Sequence, residues 1–458
     1  MNVLTPSRRS PRRRVVMRRR RLRGRGPAMG PETYAVAAGR RARGRCAVPP
    51  SKSVAQRYFG LALVGRLPLT IHRPLTSEDP RLFLDALARC GFAIERRGEA
   101  LRLTPGPPPA GGDVFCGNGG TMFRFLTAAL TTVPGRWRLD GVPRLRERPV
   151  GPLIAALRPL GAEIRCLERE GYAPLEITGG SLRGGRTTLD AGESSQYLSA
   201  LLIAALAARE PVEVTVERLT STPYVDLTFE AIAAFGGRLE ALPDAPGGSR
   251  RWRVEPSPLA AGEVTVESDY SAAAYPAAAA ALTGGPVVLE GLRRDSAQGD
   301  RRFLDLLAEM GARVAWRGAE LVVEGGPLAA LDADLSDVPD QVPTLAAVAP
   351  FARGTTVIRN VAHLRIKECD RLAAMARELG RLGVPVEERA DGLVVPGTWA
   401  EAPPPSEPVE VETYGDHRIA MALALVGLRR PGVVIRAPQV VAKSYPAFWR
   451  DLERLLGG

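Results

Sequence analysis

The chain repeats one local pattern six times, and this repetition constrains its fold more than any other feature of the sequence. In each repeat a short polar or glycine-containing segment, which we call a plug, precedes a helix so rich in alanine and leucine that it must be buried on nearly all sides. Successive plugs are separated by 66 to 76 residues. The plugs are SKSVAQR at 51, NGGTMFR at 118, SSQ at 194, SDYS at 268, DVPDQ at 337 and GDHR at 415.

Short β-branched segments and amphipathic helices alternate between the plugs. We predict strands at 137–139, 212–216, 263–266, 287–289, 355–358 and 433–435. We predict helices at 81–90, 150–160, 225–235, 301–310 and 369–382, each followed by a glycine suited to a left-handed helix cap and then by a new strand. A unit of about seventy residues cannot bury its apolar face alone, so the six units should pack around shared cores and divide into two threefold domains.

The net charge of +12 comes mostly from the N terminus. Residues 1–28 hold eleven arginines and no acidic residue, so the other residues carry a net charge near +1. We interpret this segment as a disordered tail, or as translated sequence upstream of a start at Met17 or Met29, in preference to an arm that binds nucleic acid. It lacks the apolar stretch of a secretory signal.

Composition argues against several classes of protein. No apolar run reaches the roughly eighteen residues of a membrane span, so we expect a soluble, cytoplasmic protein. The five cysteines contain no C-x-x-C pair and the three histidines are far apart. We therefore expect neither a disulfide framework nor a metal site.

Cationic side chains occupy the starts of helices that otherwise have the composition of a core. Lys52, Arg57, Arg124 and Arg418 fall within the first two turns, where an unpaired buried charge costs several kcal/mol. N-capping explains serine, asparagine and aspartate at helix starts, but it does not explain these cations. Their partners are either internal carboxylates or the phosphates and carboxylates of ligands, which helix N termini favour.

Further basic residues stand in loops with few other polar groups. Each of them alone is more often a solvated surface charge. Their recurrence, together with the cations of the plugs, suits two substrates that carry phosphates and carboxylates. They are Arg148, Lys367, Arg371 and Lys443.

Nine segments occur in the order found in one enzyme family. They are PPSKSVAQR, GNGGTMFR, RERPVGPL, ESSQYLSALL, STPYVD, VPDQ, RIKECDR, TYGDHRIAM and VAKSYP. From about residue 33 to its end, the chain therefore resembles the 5-enolpyruvylshikimate-3-phosphate synthases. The resemblance implies an α/β fold, a two-domain inside-out α/β barrel in which each domain has three βαβαββ units around buried parallel helices. It also implies a tail at 1–30, a discontinuous first domain at 31–49 plus 266–458, a second domain at 50–265, and an active site in the cleft between the two domains.

The resemblance implies an activity in the shikimate pathway of aromatic amino-acid biosynthesis. Enzymes of this family transfer the enolpyruvyl group of phosphoenolpyruvate to the 5-hydroxyl of shikimate-3-phosphate, through a tetrahedral intermediate that loses phosphate. By position, Asp340 would take the hydroxyl proton, Glu368 would handle the methylene proton, and Lys52 would act as an acid or a base. Two simpler interpretations stay open, namely a helix cap for Asp340 and an i,i+3 partner of Arg371 for Glu368.

The resemblance further implies two sets of binding residues. For shikimate-3-phosphate they are Lys52, Ser53, Arg57, Ser194, Ser195, Gln196, Ser221, Tyr224, Asp340, His363 and Lys367. For phosphoenolpyruvate they are Lys52, Asn118, Gly120, Thr121, Arg124, Arg148, Gln196, Arg371, Asp416, His417, Arg418 and Lys443. A structural role at its helix start would explain His417 equally well.

We expect a monomer without metal or organic cofactor, whose partners are the two substrates and neither a membrane nor a specific nucleic acid. Several positions depart from the usual family pattern, among them Pro50 and His363. Pro50 stands where glycine is usual and stiffens one crossing between the domains, and His363 stands where asparagine is usual and can still donate a hydrogen bond.

Two alternative functions remain from the sequence. The sister family transfers enolpyruvyl to UDP-N-acetylglucosamine and depends on a cysteine in a mobile loop, but neither Cys116 nor Cys369 lies in a comparable segment. A non-catalytic binder of anions or nucleic acid could use the same cations, but it would not need Asp340 or Glu368.

Overall fold

The computed structural model describes residues 32–245, 247–260, 262–401 and 407–457. The interpretation of residues 1–28 as a tail lies outside this range. Across the described ranges, no helix is both long enough and apolar enough to cross a membrane.

Short strands and helices alternate along the chain. The strands are β1 (Thr33–Ala35), β2 (Gly44–Ala47), β3 (Leu69–His72), β4 (Phe92–Arg97), β5 (Ala100–Pro105), β6 (Gly111–Phe115), β7 (Gly135–Asp140), β8 (Glu163–Cys166), β9 (Leu175–Gly179), β10 (Gly185–Ala191), β11 (Val212–Leu219), β12 (Arg238–Leu242), β13 (Arg250–Glu255), β14 (Glu263–Thr265), β15 (Val287–Glu290), β16 (Arg313–Arg317), β17 (Glu320–Glu324), β18 (Asp332–Asp334), β19 (Thr355–Arg359), β20 (Glu387–Arg389), β21 (Gly392–Pro396), β22 (Val409–Val411) and β23 (Val433–Arg436). The α-helices are α1 (Lys52–Gly65), α2 (Glu78–Arg89), α3 (Gly120–Ala129), α4 (Pro143–Arg146), α5 (Gly151–Leu157), α6 (Gln196–Ala205), α7 (Pro223–Ala234), α8 (Tyr270–Thr283), α9 (Arg302–Glu309), α10 (Val342–Val348), α11 (Arg371–Arg381), α12 (His417–Arg429) and α13 (Phe448–Leu455).

The described strands form six small sheets, five of four strands and one of three. Each sheet contains a parallel pair extended by antiparallel strands. In one sheet, for example, β6 and β7, which precede and follow α3 along the chain, pair in parallel. Strand β9 then pairs antiparallel with β7, and β8 pairs antiparallel with β9. One sheet and one buried helix therefore correspond to each of the six sequence repeats.

Three buried helices lie at the centre of each of two hydrophobic cores. In what we call the second core, formed by residues between Val54 and Val266, α1, α3 and α6 contact one another. In the first core, formed by residues from Val36 to Val48 and from Tyr270 to Leu456, the contacting helices are α8, α10 and α12. Helices inside and sheets outside confirm the predicted inside-out α/β barrel. The division into two domains at residues 49/50 and 265/266 stays a prediction.

The chain passes between the two cores at two segments that pair with each other. Ser51 N donates to Glu267 O at 2.7 Å, and Asp269 N donates to Pro49 O at 2.8 Å. Strands are exchanged at this crossing, because β2 precedes α1 but pairs with β15 of the first core, whereas β14 precedes α8 but pairs with β3 of the second core. The exchange ties the two halves together beside the starts of α1 and α8.

The elements predicted from the sequence are confirmed to within a few residues. The glycines predicted to end helices all have positive φ, namely Gly91, Gly161, Gly236, Gly311 and Gly383. One strand begins later than predicted, since β20 starts three residues after Val384. Pro385 intervenes, and proline has no N–H to donate to a strand partner.

Replacing Leu423 by alanine should lower the free energy of unfolding by about 2–5 kcal/mol, because this side chain is fully buried in α12 and its removal leaves a cavity. Leu167→Ala is the control, since Leu167 is exposed and its loss should change stability by about 0.5 kcal/mol or less. Urea unfolding followed by circular dichroism measures both changes. Equal losses would contradict the placement of α12 in the centre of a core.

Candidate active site

The starts of five buried helices meet at one cavity. The plugs of α1, α3, α6, α10 and α12 all contribute lining residues. The sixth plug lies behind the lining, where Asp269 accepts hydrogen bonds from Lys52 N at 3.0 Å and from Ala272 N at 3.1 Å. Because helix N termini carry free N–H groups and a positive dipole, their convergence favours anions in this cavity.

Arg371 holds three carboxylates in one buried network. Its Nε donates to Asp416 Oδ2 at 2.8 Å, and its two terminal nitrogens donate to Asp340 Oδ1 at 2.8 Å and Glu368 Oε2 at 3.0 Å. Arg418 pairs with the other oxygen of Asp340 at 2.7 Å. The i,i+3 pair of Glu368 and Arg371 is thus present, but Asp340 does not cap α10. It lies in a 3₁₀ turn ahead of that helix.

Asp79 is a cavity carboxylate that the sequence analysis missed. Lys52 Nζ lies 3.1 Å from Asp79 Oδ2, and Lys443 Nζ lies 3.5 Å from Asp79 Oδ1. Lys443 Nζ is also 3.5 Å from Glu368 Oε1. The only local signal was an acidic first turn in α2, which resembles an ordinary interaction with the helix dipole.

Two arginines crowd the start of α3. Arg148 donates to Asn118 O at 2.9 Å, and Arg124 donates to Gln196 Oε1 at 2.8 Å. A Cβ at Gly120 would clash with the Arg148 guanidinium and approach Arg124 to 2.8 Å. A side chain at position 120 would therefore force both guanidinium groups to move from their present places.

Arg57 is buried among neutral partners. Its guanidinium donates to Thr228 Oγ1 at 2.9 Å and to Ser53 O at 2.7 Å. Burial lowers the pKa of Arg57 to about 10, so it is still a cation at neutral pH. Since none of its described hydrogen-bond partners is a carboxylate, this buried charge is available to pair with an anionic ligand.

Hydroxyl groups dominate the wall beside Arg57. Ser194 and Ser195 line it from the start of α6, and Ser221 and Tyr224 line it from the start of α7. Ser221 has a φ of 54°, a left-handed conformation that costs a non-glycine residue about 1 kcal/mol or more. Its hydroxyl donates to Ser336 O at 3.2 Å, which connects the second core with the first.

The cavity carries an excess of positive charge. Its lining includes six cations, Lys52, Arg57, Arg148, Lys367, Arg371 and Arg418, and three carboxylates, Asp79, Asp340 and Glu368. This excess of three charges would be balanced by anionic ligands.

Both candidate catalytic carboxylates are held in the ionised form. Burial alone would raise the pKa of Asp340, but Arg418, Arg371 and Lys367 outweigh burial and lower it. Burial would likewise raise the pKa of Glu368, but Arg148, Lys443 and Arg371 hold it well below its ordinary value. A ligand that neutralises these cations would therefore raise both pKa values.

Three bases near the carboxylates are held toward their neutral forms. Burial, the largest cause, lowers the pKa of Lys367 to about 8. Burial and then the charge of Lys367 lower the pKa of His363 to about 4. Burial also lowers the pKa of His417, and neither of its ring nitrogens has a described hydrogen-bond partner. His417 does not cap α12, because Asp416 accepts the hydrogen bond of Arg418 N at 2.8 Å.

The structure brings the predicted site residues together. Those that line the cavity are Lys52, Ser53, Arg57, Gly120, Thr121, Arg148, Ser194, Ser195, Gln196, Ser221, Tyr224, Asp340, Lys367, Glu368, Arg371, His417 and Arg418. Those that lie behind the lining are Asn118, Arg124, His363, Asp416 and Lys443. Pro339 joins Asp79 as a lining residue that was not predicted. The catalytic and binding roles of all these residues remain predictions.

The distribution of lysine is a signal that the sequence analysis did not use. Lysine and arginine together number 62, yet only Lys52, Lys367 and Lys443 are lysines. Two of them line the cavity and the third contacts Asp79 and Glu368. In a chain that uses arginine almost everywhere else, all three lysines therefore lie at the cavity or directly behind its lining, where each places a compact charge.

Comparisons with known proteins identify the family of this chain. A family model described as EPSP synthase (3-phosphoshikimate 1-carboxyvinyltransferase) matches residues 36–452. A 3-phosphoshikimate 1-carboxyvinyltransferase of Syntrophobacter fumaroxidans is 43% identical over 413 residues, which cover 89% of this chain and 96% of the relative. Another, from Nitrosomonas europaea, is 41% identical over 425 residues and covers 89% of this chain and 95% of its own.

Solved structures show the same architecture. An EPSP synthase structure from Acinetobacter baumannii superposes with a TM-score of 0.74 at 28% identity, and the match covers 92% of this chain and 98% of the other. An enolpyruvyl transferase from Streptomyces tendae superposes with a TM-score of 0.72 at 20% identity, which shows the fold alone.

Lys367 should lose its proton near pH 8 in the ligand-free protein, because its burial beside other cations disfavours the ammonium form. Three lysines give three side-chain signals in carbon-13 NMR, and the signal absent from Lys367→Arg is the one to follow through a pH titration. A midpoint at or above 10 would contradict the burial of this amine. Adding inorganic phosphate should move the midpoint upward.

Proposed function

The chain belongs to the EPSP synthase family, and from this membership we propose that it transfers the enolpyruvyl group of phosphoenolpyruvate to the 5-hydroxyl of shikimate-3-phosphate and releases inorganic phosphate. Its relatives bear the name of this activity. The observation that carries the proposal is the presence of Asp340 and Glu368 within a cationic cavity lining. A site that only bound anions would be weakened by carboxylates. An enzyme that moves protons to and from two anionic substrates needs acid–base groups of this kind.

Shikimate-3-phosphate binds along the hydroxyl-rich wall in this proposal. Arg57, which has neutral partners, supplies a charge for an anionic group of the acceptor, and the serines of α6 with Ser221 donate to the phosphate. Tyr224 and Lys367 complete this side, and Asp340 faces the attacking hydroxyl. Ser221 and Tyr224 both reach the cavity from the start of α7.

Phosphoenolpyruvate binds at the starts of α3 and α12. Arg124, Arg148, Arg371, Arg418 and Lys443 surround this region, and guanidinium groups match carboxylate and phosphate oxygens in pairs. These cations stabilise the charge that develops on the phosphate as it leaves, so the proposed chemistry uses charges that the chain itself supplies.

Two proton transfers accompany the addition step. The 5-hydroxyl gives its proton to Asp340 as its oxygen attacks C2 of phosphoenolpyruvate, and the methylene carbon C3 takes a proton from Glu368. The tetrahedral intermediate then expels phosphate, which leaves with the proton held by Asp340. Glu368 takes a proton back from the methyl carbon as the C=C bond forms again, which restores both residues.

Glu368 must carry a proton for this sequence, although the free protein holds it ionised. Phosphoenolpyruvate resolves this requirement because its phosphate and carboxylate pair with Arg148, Arg371 and Lys443, the cations that lower the pKa of Glu368. Donor binding thus raises that pKa toward the range in which Glu368 can act as an acid. Lys52, whose Nζ pairs with Asp79, is the lining amine besides Lys367, and we place it near both substrates.

A sister activity toward UDP-N-acetylglucosamine has less support. A cysteine acts as an acid or nucleophile through an accessible thiol of moderate pKa. Burial raises the pKa of Cys116 well above its usual value, and burial followed by the charge of Asp416 raises that of Cys369. Neither thiol is therefore suited to proton transfer at neutral pH.

We also propose that the protein works as a monomer in the cytoplasm.

Asp340→Ala and Glu368→Gln should each lower kcat for phosphate release by roughly 10²–10⁴-fold, because each removes one proton-transfer group. The assay mixes purified protein with phosphoenolpyruvate and shikimate-3-phosphate and follows inorganic phosphate. Asp305→Asn, on the exposed face of α9, is the matched control and should retain wild-type turnover. Release with UDP-N-acetylglucosamine but not with shikimate-3-phosphate would transfer the assignment to the sister activity.

The kcat/KM for shikimate-3-phosphate should fall as pH rises through about 8, because kcat/KM reports the free enzyme and Lys367 loses its positive charge there. Lys367→Arg keeps a charge at high pH and should move the fall to higher pH, even where its overall activity is lower. Steady-state kinetics between pH 6 and about 10 would measure this. An unmoved fall in the variant would assign the transition to another group.

A further inference from the structure

Asp300 is a buried carboxylate that lies just outside the cavity lining. Its side chain is 3% exposed, yet both of its described hydrogen-bond partners are neutral. Tyr224 OH donates to Asp300 Oδ2 at 2.8 Å, and Gln341 Nε2 donates to Asp300 Oδ1 at 2.7 Å. A buried carboxylate is costly to keep, and two short hydrogen bonds from neutral donors are what offset that cost here.

The two donors belong to elements of different cores. Tyr224 stands in the first turn of α7, which packs on the second core, and it lines the cavity. Gln341 belongs to the first core and directly follows Asp340, the proposed base. The Asp300 carboxylate therefore links a residue proposed to bind the acceptor with the segment that carries the group proposed to deprotonate it.

The loop that carries Asp300 is fixed by its neighbours. Gln298 Nε2 donates to Glu267 Oε1 and to Ser268 O, both at 2.8 Å, and so attaches the loop to the crossing between the cores. A Cβ at Gly299 would lie 2.5 Å from Pro223 Cβ, so only glycine allows the loop this close to the start of α7. The position of Asp300 is thus set by the crossing on one side and by α7 on the other.

We propose that Asp300 is a positioning residue for the transfer reaction. By accepting hydrogen bonds from both Tyr224 and Gln341, it fixes the position of Asp340 relative to Tyr224, which lies on the side of the cavity proposed to bind shikimate-3-phosphate. Binding of shikimate-3-phosphate at Tyr224 is thereby coupled to the placement of the base. This inference rests on the proposed function and extends it to a residue that does not itself touch the substrates.

Asp300→Asn tests this role with a side chain of the same shape. An amide offers one acceptor oxygen and an NH2 donor where the carboxylate offers two acceptor oxygens, so both bonds survive only if Gln341 turns its amide over or Tyr224 accepts instead of donating. Asp300→Ala, measured beside it, removes both bonds. We expect kcat/KM for shikimate-3-phosphate to fall by roughly tenfold or more, and its KM to rise by a larger factor than that of phosphoenolpyruvate. Asp305→Asn, an exposed position in the helix that follows the same loop, should leave both values unchanged.

A double-mutant cycle separates positioning from simple packing. Tyr224→Phe removes the other half of the same hydrogen bond and deletes only a hydroxyl, so it keeps the test available if Asp300→Asn does not fold. The loss in the double variant should be smaller than the product of the two single losses, because the second change removes a bond that is already broken. Multiplicative losses, or a wild-type kcat/KM in Asp300→Ala, would overturn the proposal.

A reciprocal exchange provides a rescue. Asp300→Asn combined with Gln341→Glu reverses the direction of one hydrogen bond, since the asparagine amide can donate to the glutamate while its oxygen still accepts from Tyr224. Part of the lost kcat/KM should return. Further loss in the exchanged pair would indicate that the charge at position 300 matters rather than the bridge, and would overturn the proposal as stated.

Turnover and binding distinguish failure of the inference from failure of the proposed function. If the wild-type protein releases no phosphate from the two substrates, the proposed function fails. Thermal stabilisation by shikimate-3-phosphate then tests the inference alone, which predicts that wild type is stabilised more strongly than Asp300→Asn. Equal stabilisation of the two proteins, or none of either, would overturn it.

Discussion

The repulsion among cations buried at one cavity is the constraint on which the rest of the structure depends. Six positive side chains line a space that the starts of five helices already make positive. Such an arrangement survives only where carboxylates are buried beside it, and Arg371 shows how, because each of its hydrogen-bonding nitrogens meets a different acid. These carboxylates balance only part of the positive charge, so the cavity keeps an excess of positive charge. Anionic ligands would balance the rest.

The fold solves the problem of bringing those charges together. Each repeat supplies one helix that is apolar along its length and polar only at its start, so three helices can pack side by side and expose their polar ends at a common surface. Two such bundles facing each other double the number of starts at the cavity. The strand exchange through β2 and β14 joins the bundles next to α1 and α8. The α8 start accordingly serves the junction and carries no cation.

Much of the fold could be predicted from the sequence because its signals are local. Helix starts, cap glycines and β-branched segments each lie within a few residues, and their sixfold recurrence removed ambiguity that a single copy would have left. The cations of the site were found for the same reason. Asp79 and Asp300 were not, because their meaning comes from contacts with residues 27 to 364 positions away, most of them in other repeats. Acidic residues near helix starts look ordinary until the chain is folded.

The lysine at position 367 argues that proton movement, and not charge alone, shapes this cavity. Arginine pairs with phosphate and carboxylate through two parallel hydrogen bonds and stays charged, so it is the better choice wherever only an anion must be held. This chain makes that choice nearly everywhere. Lys367, whose pKa falls to about 8, is a group whose protonation responds to the charge around it. Asp340 and Glu368 respond in the same sense, since both are ionised beside free cations and gain protons more readily when ligand anions neutralise those cations. Substrate binding and proton placement are therefore one electrostatic event in this site, and this is why a cavity built for anions also contains buried acids.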